Sequence, residues 1–439
     1  MSSRRTSVLS RDGELRYTRR VTESLGWKAR FGATCAFFAS LSLGLVGGAP
    51  PARAMLARDA GVPREAGAEA SRDESPAPDP SLPHTLTERL GKVRGITIGP
   101  IENAYHPGRG YGSEAFTRSL DETRASGGSW VALTPFGRVN DLGGRGVDLR
   151  FEAPFEDNRA AIVASVRAAH ARGLRVMLVP HLWIESGEWR ALVDPKTPAG
   201  WTAWMESYGR FVKTWAKVAQ ESGVDLLSCG VELRSWVTSG HAPAFSKLVS
   251  EIRAIYKGPL TYSANWDDVD DTVILGDLDV IGINAFYPLA EKEGASAADL
   301  RKGGERVREK VRALVTTWKK PVLFTEIGYT TRPDPALRPW EWPDAMKNVH
   351  VDEPAQALAY HGLLAPLLDE PGFLGFFVWR TYADPDDVSQ EAEWGFSPRG
   401  KLAELVVREA FRTRWGVDLW RDPTRRFDLG RRALVPGIF

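Results

Sequence analysis

The sequence predicts an α/β fold, a (β/α)8 TIM barrel forming one catalytic domain with long βα loops. Three observations predict it. Eight short apolar runs alternate with helical patterns between residues 93 and 415, the element count of such a barrel. The runs are almost continuously apolar, as a parallel sheet covered on both faces requires. No GxGxxG or GxxxxGK[ST] follows the first run, which takes support from the rival doubly wound nucleotide-binding sheet.

In chain order, an apolar uncharged stretch comes first, FGATCAFFASLSLGLVGGA (31–49), behind Arg16, Arg19, Arg20, Lys28 and Arg30. Ala52-Arg53-Ala54 fits the small-x-small rule of signal-peptide cleavage. Residues 1–54 are therefore expected to be an export signal, which sends the chain to the periplasm, cell surface or medium. An uncleaved N-terminal anchor is the alternative, because nineteen apolar residues just span a bilayer. Residues 55–90 are rich in Ala, Pro, Asp and Glu with little to bury, and read as a disordered linker. The barrel is expected over 91–415, and a basic tail over 416–439.

The predicted strands are VRGITIGPI (93–101), WVALTPF (130–136), RVMLVPHLWI (175–184), LLSCGVEL (226–233), PLTYSANW (259–266), VIGINAFYP (280–288), PVLFTEIGY (321–329) and FLGFFVWRTY (373–382). Helical patterns lie between them at 113–127, 158–173, 199–223, 242–258, 300–320 and 353–370, and 401–415 closes the ring. The patterns at 158–173, 199–223 and 242–258 each finish at a glycine suited to a helix C-terminus.

Composition narrows the function. The net charge of +1 hides a basic leader; without residues 1–54 the chain holds 48 basic and 53 acidic residues. Nucleic-acid binders carry a basic footprint, so no nucleic-acid partner is expected. A membrane partner is expected only if the leader stays uncleaved. Cys35 lies in the leader, which leaves Cys229 as a small buried strand residue and no disulfide. The seven His show no metal-ligand spacing, and neither metal nor cofactor is expected. Sixteen Trp, several beside Gly, Pro or Asn, suit a cleft lined for sugar rings, although a Trp-rich core is the plainer explanation.

The chemistry gathers at the strand C-termini, where barrel active sites lie. Strand one delivers Glu102, Asn103, Tyr105 and His106; the loop of strand two delivers Arg138 and Asp141. Strand three ends in His181, Trp183 and Glu185, and strand four in Glu232, Arg234 and Trp236. Strands five and six give Asn265, Trp266, Asn284 and Tyr287. Strand seven gives Glu326 and Tyr329, and strand eight Trp379, Arg380 and Tyr382. Glu232 and Glu326 stand out, because a carboxylate closing a buried apolar run is costly without a partner. Glu185 or Glu102 replaces Glu232 if the strand register differs. Two carboxyls flanking a glycosidic bond are the requirement of glycoside hydrolysis, and about 5–5.5 Å between them gives retention. The loop 331–353, with Trp340 and Trp342 among prolines, is expected to wall the sugar cleft.

CGVEL, FTEIGY and FFVWRTY resemble glycoside hydrolase family 113, of the clan with glutamates on strands four and seven; its known members are β-1,4-mannanases. The resemblance implies Glu232 as general acid/base and Glu326 as nucleophile. It implies that Tyr287 hydrogen-bonds the nucleophile and that Trp379 floors the sugar subsite. His181, Trp183, Asn265, Trp266, Asn284, Arg380 and Tyr105 complete the expected substrate contacts. One departure is Val231, where many clan relatives carry an Asn that contacts the 2-hydroxyl; Asn265 or His181 is the expected substitute. The expected substrate is a β-linked oligo- or polysaccharide, mannan by resemblance. The other two readings are a non-catalytic carbohydrate-binding barrel and a barrel hydrolase of bacterial envelope glycans.

Overall fold

The computed structural model describes residues 85–100, 108–151, 153–343, 346–387 and 390–412, with a two-residue antiparallel pairing at Phe427–Asp428 and Ala433–Leu434. The leader, nearly all of the 55–90 linker, residues Glu102, Asn103, Tyr105 and His106, and most of the basic tail lie outside them. No helix among the described residues is long and apolar enough to cross a membrane.

Eight parallel strands close a barrel: β1 Val93–Gly99, β2 Trp130–Leu133, β3 Arg175–Leu178, β4 Leu226–Val231, β5 Leu260–Asn265, β6 Ile281–Asn284, β7 Val322–Ile327 and β8 Phe373–Tyr382. β8 pairs with β1 to complete the ring. This is the predicted (β/α)8 barrel. Two of the expected strands are cut by prolines. WVALTPF and RVMLVPHLWI break at Pro135 and Pro180, which have no N–H to donate to the ladder. Beyond those prolines Phe136–Val139 and His181–Ile184 pair with each other as a separate parallel ribbon on the rim.

Local chemistry sets the helices. Ser113 accepts from the Phe116 N–H to cap Glu114–Ala125. Thr197 caps Pro198–Ser222, with the proline at the first position, where its missing N–H costs nothing. That helix ends at Gly223 with φ 75°, a left-handed turn that glycine enters freely. Ser296 and Asp299 form a capping box for Ala297–Trp318.

Two packed layers follow from the pleat, joined by a short N-terminal helix, Leu86–Leu90. Val93, Trp130, Met177, Leu226, Leu323 and Phe377 fill the barrel interior, and Leu90 of the short N-terminal helix packs with them. Gly95 makes room for this plug, since a Cβ there would lie 2.2 Å from the Phe377 ring. The opposite strand faces bury against the helices, where Trp204, Trp215 and Trp236 are fully buried. The tryptophans thus divide: these and Trp130 belong to the core, while another set lies at the strand C-termini. Cys229 is a buried free thiol in β4.

Three of the register shifts within the sheet fall close to those ends, between Ser228 and Val231, between Ile283 and Asn284, and between Phe376 and Val378. Bulges re-aim side chains beside active sites. Here they precede Glu232, Asn284 and Trp379.

Candidate active site

Glu232 follows β4 with φ 50°, a left-handed conformation that costs a non-glycine residue of order 1–3 kcal/mol. Its backbone N–H still bonds Ser263 O at 2.9 Å, and the residue is 8% exposed. Three groups bind the carboxylate. Trp189 Nε1 and Arg190 Nη1 both donate to Oε2 at 2.7 Å, and Asn284 Nδ2 donates to Oε1 at 2.9 Å. Burial alone would raise its pKa, but the Arg190 charge and the Asn284, Trp189 and Arg190 hydrogen bonds outweigh burial and hold it below the ordinary value.

Glu326, near the end of β7, is 7% exposed. Burial, then the Glu232 charge, pushes its pKa well above the ordinary value, against the pull of Arg190, Arg380 and an Asn284 hydrogen bond. The Asn284 amide, which donates to Glu232, thus also lies close enough to Glu326 to pull its pKa down, and Thr325 Oγ1 donates to its Oδ1 at 2.9 Å to fix its orientation. Two carboxyls from different strands face each other across one side chain, with the charge on Glu232 and the proton on Glu326.

His181, on the rim ribbon, sits 3.8 Å from Glu326 Oε1 through Nε2 and 3.1 Å from Arg190 Nη2 through Nδ1. Burial, then Arg190, holds its pKa well below the ordinary value, so the ring is neutral. Trp379 lies 6.2 Å from the His181 ring, and Arg380 lies over Trp379, Trp342 and Tyr382. Phe286, Trp379 and Phe396 cluster there, with Trp266, Trp340 and Trp342 packed against them; Trp266 and Trp340 stack at 5.2 Å. Across the site, Phe136 stacks on Phe151, contacts His181 and meets the edge of Trp183, which is 44% exposed. A cavity lined by Tyr111, Thr134 and Phe136 lies on this same side, away from the carboxyls.

The expected residues divide accordingly. Glu232, Glu326, His181, Asn284, Trp379 and Arg380 converge. Trp266 and Trp183 line opposite walls. The expected loop aromatics Trp340 and Trp342 join the first wall. Asn265 is held away, its amide donating to Asp267 at 2.7 Å. Tyr287 lies beyond the end of β6, packed against Trp266 and Phe324. Its buried hydroxyl has no hydrogen-bond partner among the described residues, so the bond to Glu326 that the resemblance implies is not made in this structure. Glu185 pairs with Arg138 on the rim, and Arg234 pairs with Asp267 and Asp268. Trp189 and Arg190 were not expected. They arrive through a single 3-10 turn, Arg190–Leu192, and no periodicity in the sequence marks them.

Solved structures share this barrel architecture. A GH113 β-1,4-mannanase superposes with TM-score 0.62 at 22% identity, covering 74% of this chain and 99% of its own. The GH113 β-mannanase AaManA from Alicyclobacillus acidocaldarius, in complex with ManMIm, gives 0.61 at 24% identity, covering 73% and 97%. A GH5_18 protein from Streptomyces cattleya, in complex with Manb1-4GlcNAc, gives 0.50 at 16% identity, covering 74% and 81%. These likenesses establish the shared barrel. No curated protein matches the chain. The model of Glycoside Hydrolase Family 113 matches residues 104–401; the chain belongs to that family of glycoside hydrolases.

Proposed function

We propose that this chain is a retaining hydrolase of β-linked polysaccharide, with β-1,4-mannan as its substrate, acting outside the cytoplasm after export by its apolar leader. The observation that carries the mechanism is the shared Asn284 amide, which sets Glu232 and Glu326 against one another. Glu326, as carboxylate, attacks the anomeric carbon while the glycosidic C–O bond breaks and the leaving oxygen takes a proton from Glu232. Water then attacks the same carbon, gives a proton to Glu232, and releases Glu326. Two aromatic walls, Trp266 with Trp340 and Phe136 with Trp183, offer apolar faces to sugar rings on either side. The names of the structural neighbours support mannan.

The resting charges favour a second reading, in which Glu326 donates the proton and Glu232 attacks. The first is preferred because the family resemblance places acid/base and nucleophile on strands four and seven. Product analysis after incubation with mannan, glucomannan, xylan, cellulose and peptidoglycan tests the substrate. Release of β-1,4-mannooligosaccharides with retained anomeric configuration is expected. Binding without cleavage of any polymer would make the protein a lectin-like barrel. Cleavage confined to peptidoglycan would move the substrate to envelope glycans.

A further inference from the structure

Arg190 is a partly buried cation of this site that touches Glu232. Its fork divides: Nη1 donates to Glu232 Oε2, and Nη2 lies on His181 Nδ1. Its Nε also donates to Leu182 O at 3.3 Å, which ties the head group to the rim ribbon. A guanidinium only donates, so His181 Nδ1 accepts, and the neutral ring carries its hydrogen on Nε2. That hydrogen faces Glu326. Each hydrogen-bond partner of the Glu232 carboxyl among the described residues is a donor as well: Trp189, Arg190 and Asn284. Such surroundings suit an anion and leave Oε2 no acceptor for a proton.

We propose that Arg190 is a positioning residue for both carboxyls: it anchors Glu232 as an acceptor-only carboxylate and fixes the His181 tautomer whose Nε2–H faces Glu326. This rests on the hydrolase reading above. One consequence concerns the chemistry. Trp189 and Arg190 fill both lone pairs of Oε2, so a proton that Glu232 hands to a leaving group is carried on Oε1, which among the described residues accepts from Asn284 alone. Other titratable groups stand around the two carboxyls. Glu326 faces Glu232 from β7 and His181 faces Glu326 from the rim, while Arg234, Asp268 and Tyr262 lie on the loops and strand of the β4–β5 side. Among these groups Arg190 alone forms an ion pair with the carboxyl within hydrogen-bond range.

Two readouts on the full chain test this. The first is 15N NMR of histidine-labelled protein, which reports the His181 tautomer without any turnover. Wild type should show an unprotonated Nδ1 and a protonated Nε2 across pH 5–8. Arg190→Gln and Arg190→Lys should both release that lock. The second is the pH profile of kcat/KM. Removing an opposite charge at this distance raises a carboxyl by about one unit or more. Arg190→Gln should therefore move the limb assigned to Glu232 upward by about one pH unit, while Arg190→Lys, which keeps the charge, should leave it within a few tenths. If Arg190→Gln does not fold, the tautomer in Arg190→Lys decides. A His181 signal in either folded variant identical to wild type would overturn the proposal, as would an unmoved limb in Arg190→Gln. A wild type that hydrolyses no β-linked glycan but keeps the locked His181 would defeat the functional reading and leave the positioning role standing.

Discussion

Substituting Asn284 by Ala removes the side chain that donates to Glu232 and lies against Glu326. Nδ2 donates to Glu232 Oε1 at 2.9 Å and the amide helps lower the pKa of Glu326, while Oδ1 accepts from Thr325 at 2.9 Å. A hydrogen bond to a charged group contributes about 1.5–3 kcal/mol. If one such bond is held through the transition state, its loss lowers kcat about ten- to a hundred-fold. Leaving the buried Thr325 hydroxyl unpartnered costs a further ~1–3 kcal/mol of stability. Asn284→Asp should do worse on both counts, because it deletes the amide donor and adds a third carboxyl beside the other two. The assay is steady-state hydrolysis of mannooligosaccharides beside thermal unfolding of each variant. Wild-type kcat and Tm in Asn284→Ala would refute the reasoning, and so would an Asn284→Asp variant faster than Asn284→Ala.

Glu326→Gln should abolish hydrolysis, keep oligosaccharide binding and raise Tm at neutral pH. The folded pKa of Glu326 is raised above its ordinary value of 4.5, so its contribution to stability is complete below pH 4.5 and is lost as pH rises through the folded value. The Tm advantage of the variant should therefore grow with pH from about 4.5 upward; an advantage that shrinks with pH would contradict the assignment of the proton. Gly95→Ala forces a Cβ to 2.2 Å from Phe377 and should destabilise by about 1–3 kcal/mol, read by chemical denaturation; an unchanged midpoint would mean the barrel plug is not tightly packed. Trp183→Ala, on an exposed rim residue, should raise KM for long oligosaccharides several-fold without altering Tm; an unchanged KM removes that wall from the substrate path.

Much of this fold was legible because buried parallel strands leave unbroken apolar runs that end at polar residues. FTEIGY and CGVEL placed both glutamates at strand ends, and the helix-ending glycines punctuated the pattern. Pro135 and Pro180 were visible in the sequence, but whether the chain resumes as strand beyond a proline depends on a partner that only the fold supplies. Tyr287 missed its expected bond because β6 ends at Asn284, three residues earlier. Trp189 and Arg190 were invisible for a different reason. Their place beside Glu232 depends on the path of an irregular loop, and loops carry no period. Asn265 turned to Asp267 in a local turn, while Asn284, whose neighbour on β7 is Glu326, took the place beside Glu232.

The most direct test of the two-carboxylate account is to trap the intermediate. Incubation with 2-deoxy-2-fluoro-β-mannosyl fluoride, proteolysis and mass spectrometry locate the glycosylated residue. The account predicts a single fluoromannosyl ester on Glu326 in the peptide containing FTEIGY. A label on Glu232 would reverse the two roles, and turnover with no covalent adduct would contradict the retaining mechanism.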